Sequence, residues 1–266
     1  SEEEGYIPFQ IALSDLVGNS GEDYSSTTDQ SSILFDITPP DNFQLDSAYA
    51  VGGNEIFGYW NASNNSIVLE TPISITDESL VGGSFQPLIS IGGGEFENFG
   101  SPIEIVEVPE TGSVFLEISG NIFESMSNYA DNINAIFTTK IIDKAGNETQ
   151  GLSDGTIIHV DEIIPTLDSI WISTNNALSS NWATSSDNIA LEWISNEGLN
   201  NVISIIINDT TIVNADESGK VHYTQRAVNL NDTEGPVTFS LFFSDSAGNQ
   251  GSCLLYTSPS PRDWLQ

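Results

Sequence analysis

The sequence has very few cationic side chains, with 5 Lys+Arg against 38 Asp+Glu and a net charge of −33 over 266 residues. A surface of this kind repels nucleic acid and anionic lipid, because phosphate groups find no cationic partners on it. Long apolar runs are also missing, since none approaches the ~20 residues that a membrane-spanning helix needs. We therefore expect no nucleic-acid partner and no membrane insertion in this segment.

Cysteine is nearly absent, and the single one, Cys253, lies in an unusual C-terminal segment. Residues 253–263 resemble, codon by codon, the translation of a transposase-type sequencing adapter. We interpret 253–266 as a non-native tail and leave it out of the fold analysis. Without Cys253 the remaining chain has no thiol for a disulfide, a nucleophile or a metal site.

Catalytic patterns are missing as well. His159 and His222 have no second histidine at ligand spacing, so a structural or surface role is expected for both. The sequence contains no nucleophile elbow, zinc-protease motif or phosphate-binding loop, and Gly92-Gly-Gly94 lacks the flanking residues that such a loop requires. Acidic pairs such as Asp77-Glu78 have no apparent opposing carboxylate. We expect that the chain is not an enzyme.

Alternation of apolar and polar residues is the strongest positive signal. Hydrophobic residues make up 38% of the chain, enough for a packed core, and they fall in strand-like runs. One helical turn is suggested near 124–131. The pattern predicts an all-β sandwich, with these residues sharing one face in each run: Ile7, Phe9, Ile11 and Leu13; Ala135, Phe137, Thr139 and Ile141; Ile189, Leu191 and Trp193; Val237, Phe239, Leu241 and Phe243.

A pentapeptide, Asp-x-x-Gly-Asn, occurs three times, at residues 15–19, 143–147 and 245–249. Its aspartate can accept a hydrogen bond from a backbone N–H two residues on, and its glycine supplies the left-handed conformation of a tight turn. We predict that each copy reverses the chain between two antiparallel strands.

Prolines and these turns divide the chain into modules. We predict the C-terminal strands of a truncated module at 1–38, a complete module with long loops at 39–165, and a module without its last strand at 166–252. Trp60-Asn-Ala-Ser-Asn-Asn-Ser-Ile67 also aligns without a gap to Trp182-Ala-Thr-Ser-Ser-Asp-Asn-Ile189. The match predicts a shared packing role for Trp60 and Trp182.

The Asp-Lys-Ala-Gly-Asn and Asp-Ser-Ala-Gly-Asn turns, with the strand-Asp-x-x-x-Pro joints, resemble the bacterial immunoglobulin-like repeats of large surface and secreted proteins. The resemblance implies tandem immunoglobulin-like antiparallel β-sandwiches at an extracellular or cell-surface location. It implies a non-catalytic spacer or adhesive role, with neighbouring modules of the same chain as partners, and surface glycans or proteins as further candidates. The alternative is a carbohydrate- or ligand-binding accessory module of a multidomain extracellular enzyme.

Acidic residues are expected to gather at the two joints between modules, with no Lys or Arg among them. Such a group either repels itself or shares a cation, and Ca²⁺ prefers oxygen ligands of this kind. A structural Ca²⁺ is thus the one cofactor we consider, and a solvated acidic loop with its own turn hydrogen bonds is the competing interpretation. The candidate ligands are Asp36, Asp77, Glu78, Asp143 and Asn147 at one joint, and Asp161, Glu162, Glu197, Asp245 and Asn249 at the other.

Two further tryptophans bear on binding. Trp193 alternates with Ile189 and Leu191 and is expected in the core. Trp171 is also expected in the core, because tryptophan is well buried on average. If it were exposed, its ring would provide a platform for stacking a sugar.

Overall fold

The computed structural model describes residues 4–212, 216–218 and 220–256, and it is an all-β sandwich structure with one short helix. The predicted fold class is confirmed to that extent. Residues 4–38 contain β1 (Gly5–Tyr6) and β2 (Leu34–Phe35), which pair antiparallel. Ile7, Phe9, Ile11 and Leu13 remain exposed there, because no second sheet packs over them within the described residues.

Residues 45–160 form the first sandwich. Its elements are β3 (Ser47–Val51), β4 (Tyr59–Trp60), β5 (Ser66–Pro72), β6 (Ser84–Ile91), β7 (Glu97–Asn98), β8 (Ile103–Glu104), β9 (Ser113–Ser119), α1 (Gly120–Glu124), β10 (Asn134–Ile142), β11 (Glu148–Gln150) and β12 (Ile158–Val160). The strand order is β3-β5-β9 in one sheet and β4-β12-β10-β6-β7 in the other, with β8 on β6 and β11 on β10. Helix α1 ends at Glu124, so the helical turn lies before most of the predicted 124–131 segment.

Residues 167–256 form the second sandwich. Its elements are β13 (Leu167–Thr174), β14 (Asn188–Ser195), β15 (Asn201–Ile207), β16 (Thr210–Ile212), β17 (Asp216–Ser218), β18 (Val221–Ala227), β19 (Thr238–Ser244) and β20 (Gln250–Tyr256). The sheet orders are β13-β14-β18-β17 and β16-β15-β19-β20. Strand β20 crosses the predicted boundary at 252 and pairs with β19 along its length. Residues 257–266 of the predicted tail lie outside the described part.

Each sandwich has its own hydrophobic core between its two sheets. In the first, apolar residues of β5 and β9 pack against those of β6 and β10, which include Ala135, Phe137 and Ile141. In the second, the core contains Ile189, Leu191 and Trp193 from β14, facing Phe239, Leu241 and Phe243 from β19. The predicted buried faces of these strands are confirmed, as is the core position of Trp193. The module boundaries themselves stay a prediction.

The two tryptophans of the sequence match differ in environment. Trp60 is fully buried, packs edge-on against Phe123 at 5.3 Å and lies over Gly120, where an added Cβ would be 2.6 Å from its ring. Trp182 is 70% exposed, so the predicted shared packing role is wrong. Trp60 belongs to β4, which pairs in parallel with β12, whereas no described strand of the second sandwich pairs beside Trp182. Trp171 is 51% exposed, so its predicted core position is also wrong.

Among the described residues, no helix has the length and apolar character needed to cross a membrane.

Candidate functional site

The three Asp-x-x-Gly-Asn segments share one conformation. In each, the aspartate N–H donates to the asparagine carbonyl, and the glycine N–H donates to the aspartate carbonyl. The asparagine N–H and side-chain amide donate to the two carboxylate oxygens of the aspartate, at 2.7 to 2.9 Å. Gly18, Gly146 and Gly248 have φ of 91°, 95° and 90°, where glycine is strongly favoured. The predicted tight reversals are confirmed between β10 and β11 and between β19 and β20.

The asparagine of each of the last two turns also bonds the backbone of the segment that precedes its own sandwich. Asn249 Nδ2 donates to the backbone oxygen of Asp161 at 2.8 Å, and Asn147 Nδ2 donates to that of Asp36 at 3.3 Å. We call the contact of 143–147 with Asp36 the first joint and the contact of 245–249 with residues 161–165 the second joint. The predicted approach of each turn to its linker aspartate is thus observed at both.

At the second joint the turn is also held by the end loops of the first sandwich. Asn54 Nδ2 donates to Gly248 O and Asn61 Nδ2 donates to Ala247 O, both at 2.7 Å. The Ala62 N–H donates to Asn249 Oδ1 at 3.0 Å. The role of Asn54 and Asn61 is not predicted from the sequence, although Asn61 lies within the 60–67 match. These bonds connect residues far apart in the chain. They hold the loops on either side of β4 in the first sandwich against the 245–249 turn of the second.

Three carboxylates meet at the second joint. Asp161 follows β12, Glu197 lies in the loop between β14 and β15, and Asp245 opens the turn after β19. One oxygen of each lies within 4.8 Å of the others, and Asp245 is only 2% exposed. Within the described ranges, no other group of three such side chains is as close. We call this group the carboxylate cluster.

Burial and mutual repulsion disfavour the charged state of the carboxylate cluster. Burial, followed by the charges of Asp245 and Asp131, raises the pKa of Asp161. Burial, followed by the charges of Asp245 and Asp161, raises the pKa of Glu197. Glu197 Oε1 is buried and accepts no hydrogen bond, which is costly for a carboxylate oxygen. A positive charge placed among these three carboxylates would therefore stabilise their charged state.

One cation does lie near the carboxylate cluster, contrary to the expectation that it would contain none. The charge of Lys220 lowers the pKa of Glu197, but less than burial and the two aspartates raise it. Lys220 Nζ itself donates to the backbone oxygen of Asn196. Lys220 thus offsets only part of the repulsion.

The remaining candidate ligands do not converge. Glu162 Oε1 accepts a long hydrogen bond of 3.4 Å from the Trp60 indole N–H and lies outside the cluster. At the first joint, Asp143 accepts the same turn hydrogen bonds as Asp245 but belongs to no group of three close ligand side chains among the described residues. Asp77 Oδ1 accepts from Ser79 at 2.6 Å, and Glu78 is exposed. Asp36 and Asp77 line an open cleft of about 400 Å³ without forming a ligand group there.

No family model matches the sequence, and a search of curated proteins finds no match either. The joint geometry is therefore the main basis for a functional proposal.

Proposed function

We propose that this chain is a non-catalytic spacer or adhesive segment of a larger secreted or cell-surface protein, built from immunoglobulin-like sandwiches in tandem. The observation that carries the proposal is the second joint, where Asn54, Asn61 and Ala62 of one sandwich bond the turn of the next. Contacts of this kind fix the angle between neighbours, which a spacer needs and an unrelated pair of domains on a flexible linker lacks.

Repetition of the asparagine contact supports the same proposal. Asn147 and Asn249 reach the backbone of the segment that precedes their own module in the same way. An element used at both joints is expected of a unit that is stacked many times, since each repeat then contacts only its neighbours.

The carboxylate cluster extends the proposal to a structural cation. We infer that Ca²⁺ binds between Asp161, Glu197 and Asp245, because it takes several oxygen ligands in flexible geometry. The buried Glu197 Oε1 without a hydrogen-bond donor supports this assignment. One ligand comes from the linker and two from the second sandwich, so a bound ion would stiffen the joint.

A pair of spin labels tests the rigid joint. Thr111→Cys and Leu230→Cys, in a Cys253→Ser background, place labels on exposed positions of the two sandwiches. Pulsed electron resonance then measures the distribution of distances between them. We expect a narrow distribution in the otherwise unchanged chain.

Two glycine variants sharpen that measurement. An added Cβ at Gly248 would lie 2.5 Å from Asn54 Nδ2 and 2.7 Å from Ile56 Cγ1, whereas one at Gly146 would meet nothing within 4 Å. Both glycines have similar positive φ, so both alanine variants carry the same strain of about 1–2 kcal/mol. Gly248→Ala should broaden the distance distribution and Gly146→Ala should not. The spacer proposal is refuted if the distances between the labels are broadly distributed in the parent chain and Gly248→Ala does not change that distribution.

A further inference from the structure

An aromatic and acidic row lies across the outer face of the second sandwich. Trp171 on β13 pairs with Glu192 on β14, which pairs in turn with Tyr223 on β18. Residues directly opposite in neighbouring strands project from the same face of a sheet. Their sequence neighbours Trp193 and His222 point inward and are fully buried. The row therefore faces away from the core.

The exposure of this row is unusual for its position. Trp171 is 51% exposed although it lies in the middle of an eight-residue strand. Glu192 is exposed and Tyr223 is partly exposed. Large aromatic side chains on a strand gain most when covered, so an aromatic row left open is a candidate binding surface.

The spacing and polar groups of the row fit a sugar chain. Trp171 and Tyr223 stand two strands apart, about 10 Å, which is about the length of a disaccharide. Glu192 lies between them and can accept hydrogen bonds from hydroxyl groups. The Tyr223 hydroxyl donates to Gln225 Oε1 at 3.0 Å, which orients the ring. The Gln225 amide also carries two N–H groups, which can donate to a ligand.

We propose that Trp171, Glu192 and Tyr223 bind an uncharged polysaccharide, with the two rings stacking on alternate sugar units. Sugar C–H groups carry slight positive charge and contact the negative face of an aromatic ring favourably. The net charge of −33 repels anionic glycans and nucleic acid, so an uncharged chain fits best. The second joint uses the ends of the sandwiches, so the sheet face stays open along an array.

The first sandwich provides an internal comparison. Its equivalent row is Ser47, Glu70 and Phe115, paired across β3, β5 and β9. A serine stands where the second sandwich has Trp171, and its hydroxyl donates to Glu70 Oε2 at 2.9 Å. That row has one aromatic ring and an occupied carboxylate. The proposal therefore assigns binding to the second sandwich alone.

Affinity electrophoresis of the full chain tests the assignment. Native gels contain soluble hydroxyethylcellulose, xylan or galactomannan, and polygalacturonate serves as the anionic comparison. We expect retardation by at least one uncharged polymer and none by polygalacturonate. Trp171→Ala and Tyr223→Ala should each weaken the interaction roughly tenfold, the equivalent of about 1.4 kcal/mol, and Glu192→Gln should weaken it less.

Two exposed aromatic residues elsewhere serve as controls. Trp182→Ala and Phe115→Ala should leave retardation unchanged. All variants should keep a melting temperature close to that of the parent, because the replaced side chains are exposed or, for Tyr223, partly exposed. The proposal fails if no uncharged polymer retards the chain, or if the control variants weaken retardation as much as Trp171→Ala. It fails equally if sedimentation shows that Trp171→Ala abolishes self-association, since the row would then bind a second copy. None of these results affects the rigid-joint measurement, so the spacer proposal stands or falls separately.

Discussion

The two sandwiches share one set of strand pairs, which is β3-β5-β9 with β6-β10 in the first and β13-β14-β18 with β15-β19 in the second. They differ in the strands that are added to this set. In the first, β10 pairs with β6, β11 and β12, and β12 continues the sheet to β4 and Trp60. In the second, β19 pairs with β15 and β20, and Trp182 lies outside any strand. Matching sequences therefore begin β5 and β14 alike, but the burial of the preceding tryptophan depends on a strand that arrives much later in the chain.

Replacing the two tryptophans tests this comparison with the largest expected effect. Trp60→Ala removes a fully buried ring that packs on Phe123 and Gly120, and it should lower the free energy of unfolding by about 3–5 kcal/mol. Trp182→Ala should change it by less than about 0.5 kcal/mol, because the side chain is mostly exposed. Denaturant titration measures both. Equal losses would mean that Trp182 is packed after all.

Calcium provides a comparison of the two joints. In the parent chain, free Ca²⁺ at a hundred times its dissociation constant should stabilise the folded state by about 2.7 kcal/mol relative to chelator. Glu197→Gln should raise the melting temperature in chelator, because it relieves repulsion in the carboxylate cluster, and should reduce the gain from calcium.

Glu78→Gln is the matched control at the first joint, since Glu78 is exposed and belongs to no ligand group among the described residues. It should leave both melting curves unchanged. If the thermal unfolding curves of the parent chain in calcium and in chelator superimpose, the proposal that Ca²⁺ binds at the second joint is wrong.

Dependence on pH is the smallest expected effect. The pKa values of Asp161 and Glu197 are raised in the folded chain, so the folded state binds more protons than the unfolded state between the unfolded and folded pKa values. The stability from these two groups is fully present below their unfolded pKa values of 3.8 and 4.5. It is lost as pH rises through the raised folded values.

This effect must be separated from relief of the overall negative charge, which also favours the folded state at lower pH. The melting temperature of the parent in chelator should therefore fall more steeply from pH 4.5 toward neutrality than that of Glu197→Gln. Parallel profiles would show that the carboxylate cluster does not contribute.

Local features of the fold were predictable from the sequence, and non-local ones were only partly so. The turns at 143–147 and 245–249 follow from hydrogen bonds within five residues, which their own side chains specify. The meeting of Asp161, Glu197 and Asp245 could be anticipated once those turns were placed at the module ends. Their distances could not, because three separate loops set them.

The errors have a common physical origin. The prediction for Trp171 rests on the average preference of tryptophan for burial, and the prediction for Trp182 rests on its match to Trp60. Neither the preference nor the match says whether a neighbouring strand or sheet is there to cover the ring. Asn54 and Asn61 were overlooked because their partners, Gly248 and Ala247, are more than a hundred residues away. Unlike Asn147 and Asn249, which belong to a recurring turn, Asn54 and Asn61 lie in no local pattern that predicts such a bond.

The hydrogen bonds from Asn147 and Asn249 to the linker segments affect which residues of those segments can be replaced in evolution. Each amide bonds a main-chain oxygen of the linker, at Asp36 and Asp161, and every amino acid supplies that acceptor. A substitution at Asp36 or Asp161 can therefore change the side chain without removing the hydrogen bond from the asparagine. The side chain at position 36 is therefore free to change in evolution while the joint is kept, whereas Asp161 is also constrained by its place in the carboxylate cluster.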